Sequence, residues 1–181
     1  MTRIKKFVNF LCDLMVIDQP NIYIVDKGGF KDIDGVSTES FELKDSSAAT
    51  TIVEENKIYI DMNVIDKAMI YTILAHELRH IYQYQSIMHP SWEEPMAETW
   101  KEEILNYNGS DIEGYENQSI EIDANAFSKL IINVVFKKDF EVNCDQELLK
   151  KRIQELMNDF SYAEIKECYE YNIGPLPNIK A

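Results

Sequence analysis

Residues 64–84, VIDKAMIYTILAHELRHIYQY, form an apolar run that contains the segment His76-Glu77-Leu78-Arg79-His80. On an α-helix, positions four apart lie one turn above each other, so His76 and His80 project from one face and can bind a single metal ion. Glu77 is the next residue round the helix, and its carboxylate can reach a water molecule on that metal, as a general base must. The run therefore predicts a central helix, residues 63–88, that presents half of a metal site.

A catalytic zinc site requires a third protein ligand and one open position. The only other histidine, His89, lies just past the predicted helix, where it could be a ligand or stabilise the oxyanion of a tetrahedral intermediate. The segment Glu121-Ile122-Asp123-Ala124-Asn125 offers carboxylates on a second predicted helix, Ser119 to Phe136. Glu121 and Asp123 are two residues apart and face different directions, so only one of them can face the metal.

The pattern His76-Glu77-x-x-His80 with a later Glu121-x-x-Ala124-Asn125-x-Phe127 resembles the gluzincin group of zinc metallopeptidases, particularly its small intracellular and phage-associated ImmA/IrrE-like members. The resemblance implies a zinc metalloendopeptidase with one Zn²⁺ per chain and a polypeptide substrate. It implies that Glu121 is the third zinc ligand. It also implies that Asn125 hydrogen-bonds a ligand histidine and that Tyr115 or His89 supports the oxyanion.

Arg79 departs from this resemblance, because relatives often carry Gly before the second histidine. A long charged side chain at that position must either point out of the helix contact or find an acidic partner.

Two alternatives to an active peptidase also remain. One is a non-proteolytic binding or regulatory module with a zincin-like fold, and the other treats His76 and His80 as core histidines of a buried helix.

The remaining pattern predicts a single α+β domain over residues 1–181, and the resemblance implies that this domain is zincin-like. Residues 1–62 should form an amphipathic helix and a small mixed sheet of three or four strands, and residues 91–181 a mostly helical part that carries the third ligand. The predicted strands are Ile22 to Val25, Val36 to Leu43, and a hairpin of Thr50 to Glu54 with Lys57 to Met62. By analogy with the resembled family, the last strand, Lys57 to Met62, could pair with a substrate peptide.

Local signals predict where the helices begin. Asn63 or Asp66 could cap the central helix, Ser119 and Asp145 could cap two later ones, and Ser91 with Glu94 and Ser161 with Glu164 read as capping boxes. Trp92, Met96, Trp100 and Ile104 recur at helical spacing and predict a buried stripe with the tryptophans as core anchors.

Composition narrows the choice of partners and compartment. The net charge of -14 argues against nucleic acid or an anionic membrane as a partner, since both require a basic surface. The negative charge suits a neutral or basic polypeptide better.

Three widely spaced cysteines without a CxxC motif predict reduced thiols. The first apolar segment is interrupted by Asn9 and Asp13, unlike a signal peptide. We therefore expect a cytoplasmic protein.

Overall fold

The computed structural model describes residues 3–26, 29–36, 48–63, 69–106, 114 and 116–177. Within these ranges the fold is α+β, as predicted, with a four-stranded mixed sheet followed by helices. The strands are β1 Asn21–Asp26, β2 Gly29–Asp32, β3 Ala49–Ile52 and β4 Lys57–Asp61. The α-helices are α1 Arg3–Met15, α2 Ile70–Met88, α3 Ala97–Leu105, α4 Ser119–Phe136, α5 Gln146–Asp159 and α6 Tyr162–Asn172.

The strand order in the sheet is β2-β1-β4-β3, and only the β1–β4 pair is parallel. The predicted β3–β4 hairpin is present, closed by a 3₁₀ turn over Val53–Glu55 and by Asn56 in the left-handed conformation, which Asn tolerates well. Because β1 pairs with β4 on its other side, β4 is an inner strand. The expectation that Lys57 to Met62 is the strand open to a substrate peptide is therefore wrong, and among the described strands β3 lies at the edge instead.

The N-terminal segment forms an amphipathic helix, as predicted. Phe7, Leu11 and Met15 of α1 are buried, and α1 packs against α2 and α6. Strands β1 and β4 contribute Ile22, Ile58 and Ile60 to the same core. The predicted strand Val36 to Leu43 lies almost entirely outside the described residues.

Helices α2 and α4 form the central helix pair of the domain. The sequence predicted the bounds of α4 correctly. Helix α2 begins at Ile70 among the described residues, after Met69, which makes no side-chain capping bond, so Asn63 is not its cap. The other predicted cap, Asp66, lies outside the described residues.

The structure confirms some of the predicted helix starts and contradicts others. Ser91 and Glu94 do not form a capping box: Pro90–Trp92 is a 3₁₀ turn, and the Glu94 carboxylate accepts hydrogen bonds from the Tyr82 hydroxyl and the Met96 amide. Trp100 is fully buried, as predicted, but Trp92 is 39% exposed. Asp145 does cap α5, and the Ser161–Glu164 capping box does begin α6.

Within the described ranges, no helix combines the length and apolarity needed to cross a bilayer. The three cysteines are all free thiols, as the sequence predicted.

Candidate metal centre

The α2–α4 pair brings together the three side chains that the sequence proposed as ligands. The Nε2 atoms of His76 and His80 are 3.0 Å apart. Glu121 Oε2 lies 3.4 Å from His76 Nε2, and Glu121 Oε1 lies 3.4 Å from His80 Nε2. Glu121 is buried and both histidines are partly exposed. These three residues form a group that could hold a metal ion.

The spacing of the three donor groups is compatible with one shared metal ion. Ligand atoms held about 2.0–2.2 Å from a tetrahedral metal are about 3.3–3.6 Å from each other. The two histidine nitrogens are 3.0 Å apart, and each lies 3.4 Å from a different oxygen of Glu121, Oε2 for His76 and Oε1 for His80. The three side chains therefore converge closely enough to hold one ion.

The protonation of His80 is fixed by its neighbour Gln83. His80 Nδ1 lies 2.8 Å from Gln83 Oε1, which is a carbonyl oxygen and can only accept a hydrogen bond. His80 Nδ1 must therefore carry the proton. In the neutral imidazole this leaves the lone pair on Nε2, which is the atom that points at Glu121 and His76.

His76 is held in a similar way by α4. Asn125, one turn after Glu121 on that helix, hydrogen-bonds the His76 side chain, as the resemblance implied. Burial by itself would lower the pKa of His76, but the Glu121 and Glu77 carboxylates and Asn125 outweigh it, so the pKa is raised. The surroundings of His76 thus favour a cation, whether a proton or a metal ion.

Glu77 faces the same cavity as the three candidate ligands. This cavity has a volume of about 410 Å³, and its lining also includes Thr51 of strand β3, Ile104 of α3 and Ile120 of α4. The Thr51 hydroxyl donates a hydrogen bond of 2.5 Å to Glu77 Oε2. A smaller cavity of about 150 Å³ adjoins His76 and Glu77 on the side of Phe140. The general base that the sequence predicted is therefore oriented by the edge strand.

Asp123, the rival ligand, is committed elsewhere. It is fully buried and forms a bidentate ion pair with Arg79, through Nε at 2.8 Å and Nη2 at 3.2 Å. The Arg79 guanidinium also lies 4.1 Å from the centre of the Tyr82 ring. Of the two outcomes that the sequence allowed for Arg79, the acidic partner is the one observed. Glu121 is therefore the carboxylate that faces the two histidines.

The structure does not place His89 with these three residues. His89 is exposed at the end of α2, where its ring stacks on Trp92 with centroids 5.5 Å apart, and it is not among the described residues that line the cavity. Its suggested role as an oxyanion residue stays a prediction. Tyr115, the other candidate for that role, lies outside the described residues.

Sequence reasoning missed three residues that support the site. Gln83 follows His80 by three positions, so helical spacing places it on the same face, and a polar residue there was a readable signal. Thr51 is linked to Glu77 only through the fold, and no local signal identifies it. Glu103 replaces the predicted Ser119 cap: its carboxylate accepts hydrogen bonds from the amides of Ser119 and Ile120 and from the Ser119 hydroxyl.

Three converging donor side chains and the Glu77 carboxylate therefore line one cavity. No protein-family model, curated protein or solved structure matches the chain.

Proposed function

We propose that this protein is a zinc-dependent metallopeptidase of the gluzincin type. The observation that carries the proposal is that Glu77 and the three candidate ligands His76, His80 and Glu121 line one cavity beside an edge strand. Ligands alone would suit a structural metal site. A carboxylate held beside an open coordination position is what a hydrolytic site requires.

The donor types favour zinc over other common ions. Two imidazole nitrogens and one carboxylate oxygen make up the set of a known class of catalytic zinc site. Calcium and magnesium prefer ligand sets made entirely of oxygen atoms. The three cysteines are not part of the group, which argues against ions that select thiolates.

The residues of the chain divide the chemical work in the proposed reaction. When bound, zinc would supply a Lewis acid that polarises the scissile carbonyl and lowers the pKa of the attacking water. Glu77 accepts the proton of that water and later donates it to the nitrogen of the leaving amine. The Thr51 hydroxyl holds the Glu77 carboxylate in position. Gln83 and Asn125 hold the two imidazoles with their lone pairs towards the metal.

The cavity suits an extended polypeptide of neutral or basic character. Strand β3 lies at the edge of the sheet, and an extended peptide can pair with such an edge while its side chains enter adjacent pockets. The cavity wall carries the carboxylates of Glu77, Glu103 and Glu121, and no lysine or arginine is among its described lining residues. An acidic peptide would therefore be repelled.

The test is the cleavage of an unfolded protein by the zinc-loaded enzyme and by the Glu77→Gln variant. Removing a general base is expected to slow hydrolysis by about 100-fold to 10,000-fold, with zinc content unchanged. Glu98→Gln is the matched control, because Glu98 is an exposed residue of α3 that undergoes the same chemical change. A chelator should abolish activity, and added zinc should restore it.

Two results would contradict the proposal. Purified protein that takes up no stoichiometric zinc would exclude the metal centre. Zinc-loaded wild type that cleaves no faster than Glu77→Gln, across substrates of varied sequence, would exclude proteolysis and favour the non-proteolytic zincin-like alternative.

A further inference from the structure

We infer that Gln83 is a positioning residue for the metal centre, and that Asp123 and Arg152 hold it in place from outside the site. The inference rests on the proposed metal site and adds to it a chain of hydrogen bonds that reaches from α5 through α4 to the ligand His80. None of these three residues would touch the metal or the substrate.

The first link is the amide of Gln83, whose orientation is determined by its partners. Its Nε2 donates to the backbone oxygen of Ile120 at 2.9 Å and to Asp123 Oδ2 at 2.7 Å. Both partners can only accept, so the nitrogen must lie on their side. The carbonyl oxygen of the amide therefore faces His80 Nδ1. Gln83 is fully buried, so water does not compete for these bonds.

The second link is the Asp123 carboxylate, which accepts hydrogen bonds from three side chains. Arg79 donates to both oxygens, Gln83 donates to Oδ2, and Arg152 Nε donates to Oδ1 at 2.7 Å. Arg152 belongs to α5 and is 14% exposed, and it also pairs with Glu155 at 3.0 Å. The carboxylate is thus fixed from two directions, and it in turn fixes the Gln83 amide.

The consequence for metal binding follows from the two tautomers of imidazole. If Nδ1 has no acceptor, the neutral ring can carry its proton on Nε2, which is the ligand atom. Metal binding must then first move that proton. Groups that hold a ligand histidine in this way typically change metal affinity by about 10–100-fold when they are removed.

The experiment compares Gln83→Met with wild type, since methionine keeps the side-chain length and loses all three hydrogen bonds. We expect zinc affinity, measured by competition with a chelator on the folded protein, to fall by about 10–100-fold. In the metal-free protein, at a pH where the imidazoles are neutral, nitrogen NMR should show the His80 proton on Nδ1 in wild type. In Gln83→Met it should show both tautomers.

Two further variants separate positioning from packing. Ser86→Ala alters another buried polar residue of α2, whose side chain hydrogen-bonds the backbone oxygen and the side chain of Tyr82, and it should leave zinc affinity and the His80 tautomer unchanged. Arg152→Gln removes one charged donor to Asp123, and we expect it to weaken zinc binding by less than about 10-fold.

The outcomes distinguish this inference from the proposed function. If Gln83→Met binds zinc as tightly as wild type, and His80 keeps its proton on Nδ1, Gln83 has no positioning role although the metal site stands. If wild type binds no zinc, the proposed function fails. The NMR comparison then decides the inference alone, since an unchanged tautomer in Gln83→Met overturns it.

Discussion

Two polar clusters lie between the same pair of helices, α2 and α4, and they are built on opposite principles. In the inner cluster, Arg79 and Asp123 are buried, and every bond between them joins a donor to an acceptor. In the outer cluster, His76, His80 and Glu121 point a carboxylate and an imidazole lone pair at one location. The inner cluster is electrically matched, and the outer one has an excess of acceptors.

This difference separates a structural joint from a binding site. A buried charge is tolerated when its partner satisfies it, and Asp123 satisfies Arg79 through Nε and Nη2, although Arg79 Nη1 is buried without a hydrogen-bond partner. The outer cluster instead brings acceptors to within 3.0–3.4 Å of one another, an arrangement that favours a cation, either a proton on His76 or a metal ion. We therefore expect substitutions in the inner cluster to cost stability and substitutions in the outer cluster to cost metal binding.

The largest effect on folding should come from Asp123→Asn. Removing one partner of a buried ion pair leaves the other charge uncompensated, which costs about 3–5 kcal/mol in the free energy of unfolding at neutral pH. Denaturant unfolding of the metal-free protein measures this loss. Asp159→Asn, on the exposed side of α5, is the matched control and should change stability little.

The difference in stability between wild type and Asp123→Asn should depend on pH in a defined direction. Burial alone would raise the pKa of Asp123, but Arg79, Arg152 and Gln83 together hold it below its usual range. Because the pKa of Asp123 is lower in the folded protein than its value of about 3.9 in the unfolded chain, the ionised carboxylate stabilises the folded state above about pH 3.9. This stabilisation is lost as pH falls through the folded pKa. The difference between wild type and Asp123→Asn should therefore be constant down to about pH 4 and shrink only below it. A difference that shrank already between pH 7 and 5 would contradict the matched pair.

Glu121→Gln should have the opposite profile. A neutral amide is a poor metal ligand, so zinc affinity should fall substantially. Removing a residue that only hydrogen-bonds a ligand typically lowers metal affinity by about 10–100-fold, and the loss in Glu121→Gln should be larger. The melting temperature of the metal-free protein should fall less than in Asp123→Asn, because His76, the partner of Glu121, can release its proton, whereas Arg79 keeps its charge. Calorimetric titration with zinc and thermal unfolding without it measure the two effects. If metal-free Glu121→Gln unfolded as readily as Asp123→Asn, the two clusters would not differ in kind.

The smallest effect should come from Glu103→Gln, which tests whether nearness to the cavity or hydrogen-bond matching decides the outcome. Glu103 lines the cavity, yet its oxygens accept three hydrogen bonds at the start of α4. It should therefore behave like a helix cap and cost about 1 kcal/mol of stability. Zinc affinity should change far less than in Glu121→Gln. Glu102→Gln, at an exposed neighbouring position, is the control, and a large loss of zinc binding in Glu103→Gln alone would refute this assignment.

The sequence predicted the features that depend on residues close together in the chain and missed those that depend on distant residues. The α2 pair of histidines, the bounds of α4 and the caps of α5 and α6 depend on residues within one or two helical turns. The edge position was assigned to the wrong strand because β1 pairs in parallel with β4, about 36 residues away, and a parallel pairing leaves no local turn signal. The Ser119 cap failed for the same reason, since Glu103 reaches it from another helix.

The candidate site shows the same limit. Spacing on one helix was enough to propose His76, Glu77 and His80, and the resemblance supplied Glu121 and Asn125. The residues that orient them come from other elements, as Thr51 does from β3, or belong to a network closed only by the fold, as Gln83 does. Arg79 could not be placed beforehand because its partner Asp123 is 44 residues away.

The burial of Arg79 also constrains how this sequence can vary. The Arg79 side chain is 1% exposed, and Asp123 neutralises its charge. Replacing either residue alone would therefore leave a buried charge without a partner. We therefore expect Arg79 and Asp123 to be replaced together in homologous sequences, with the two charges gained or lost as a pair.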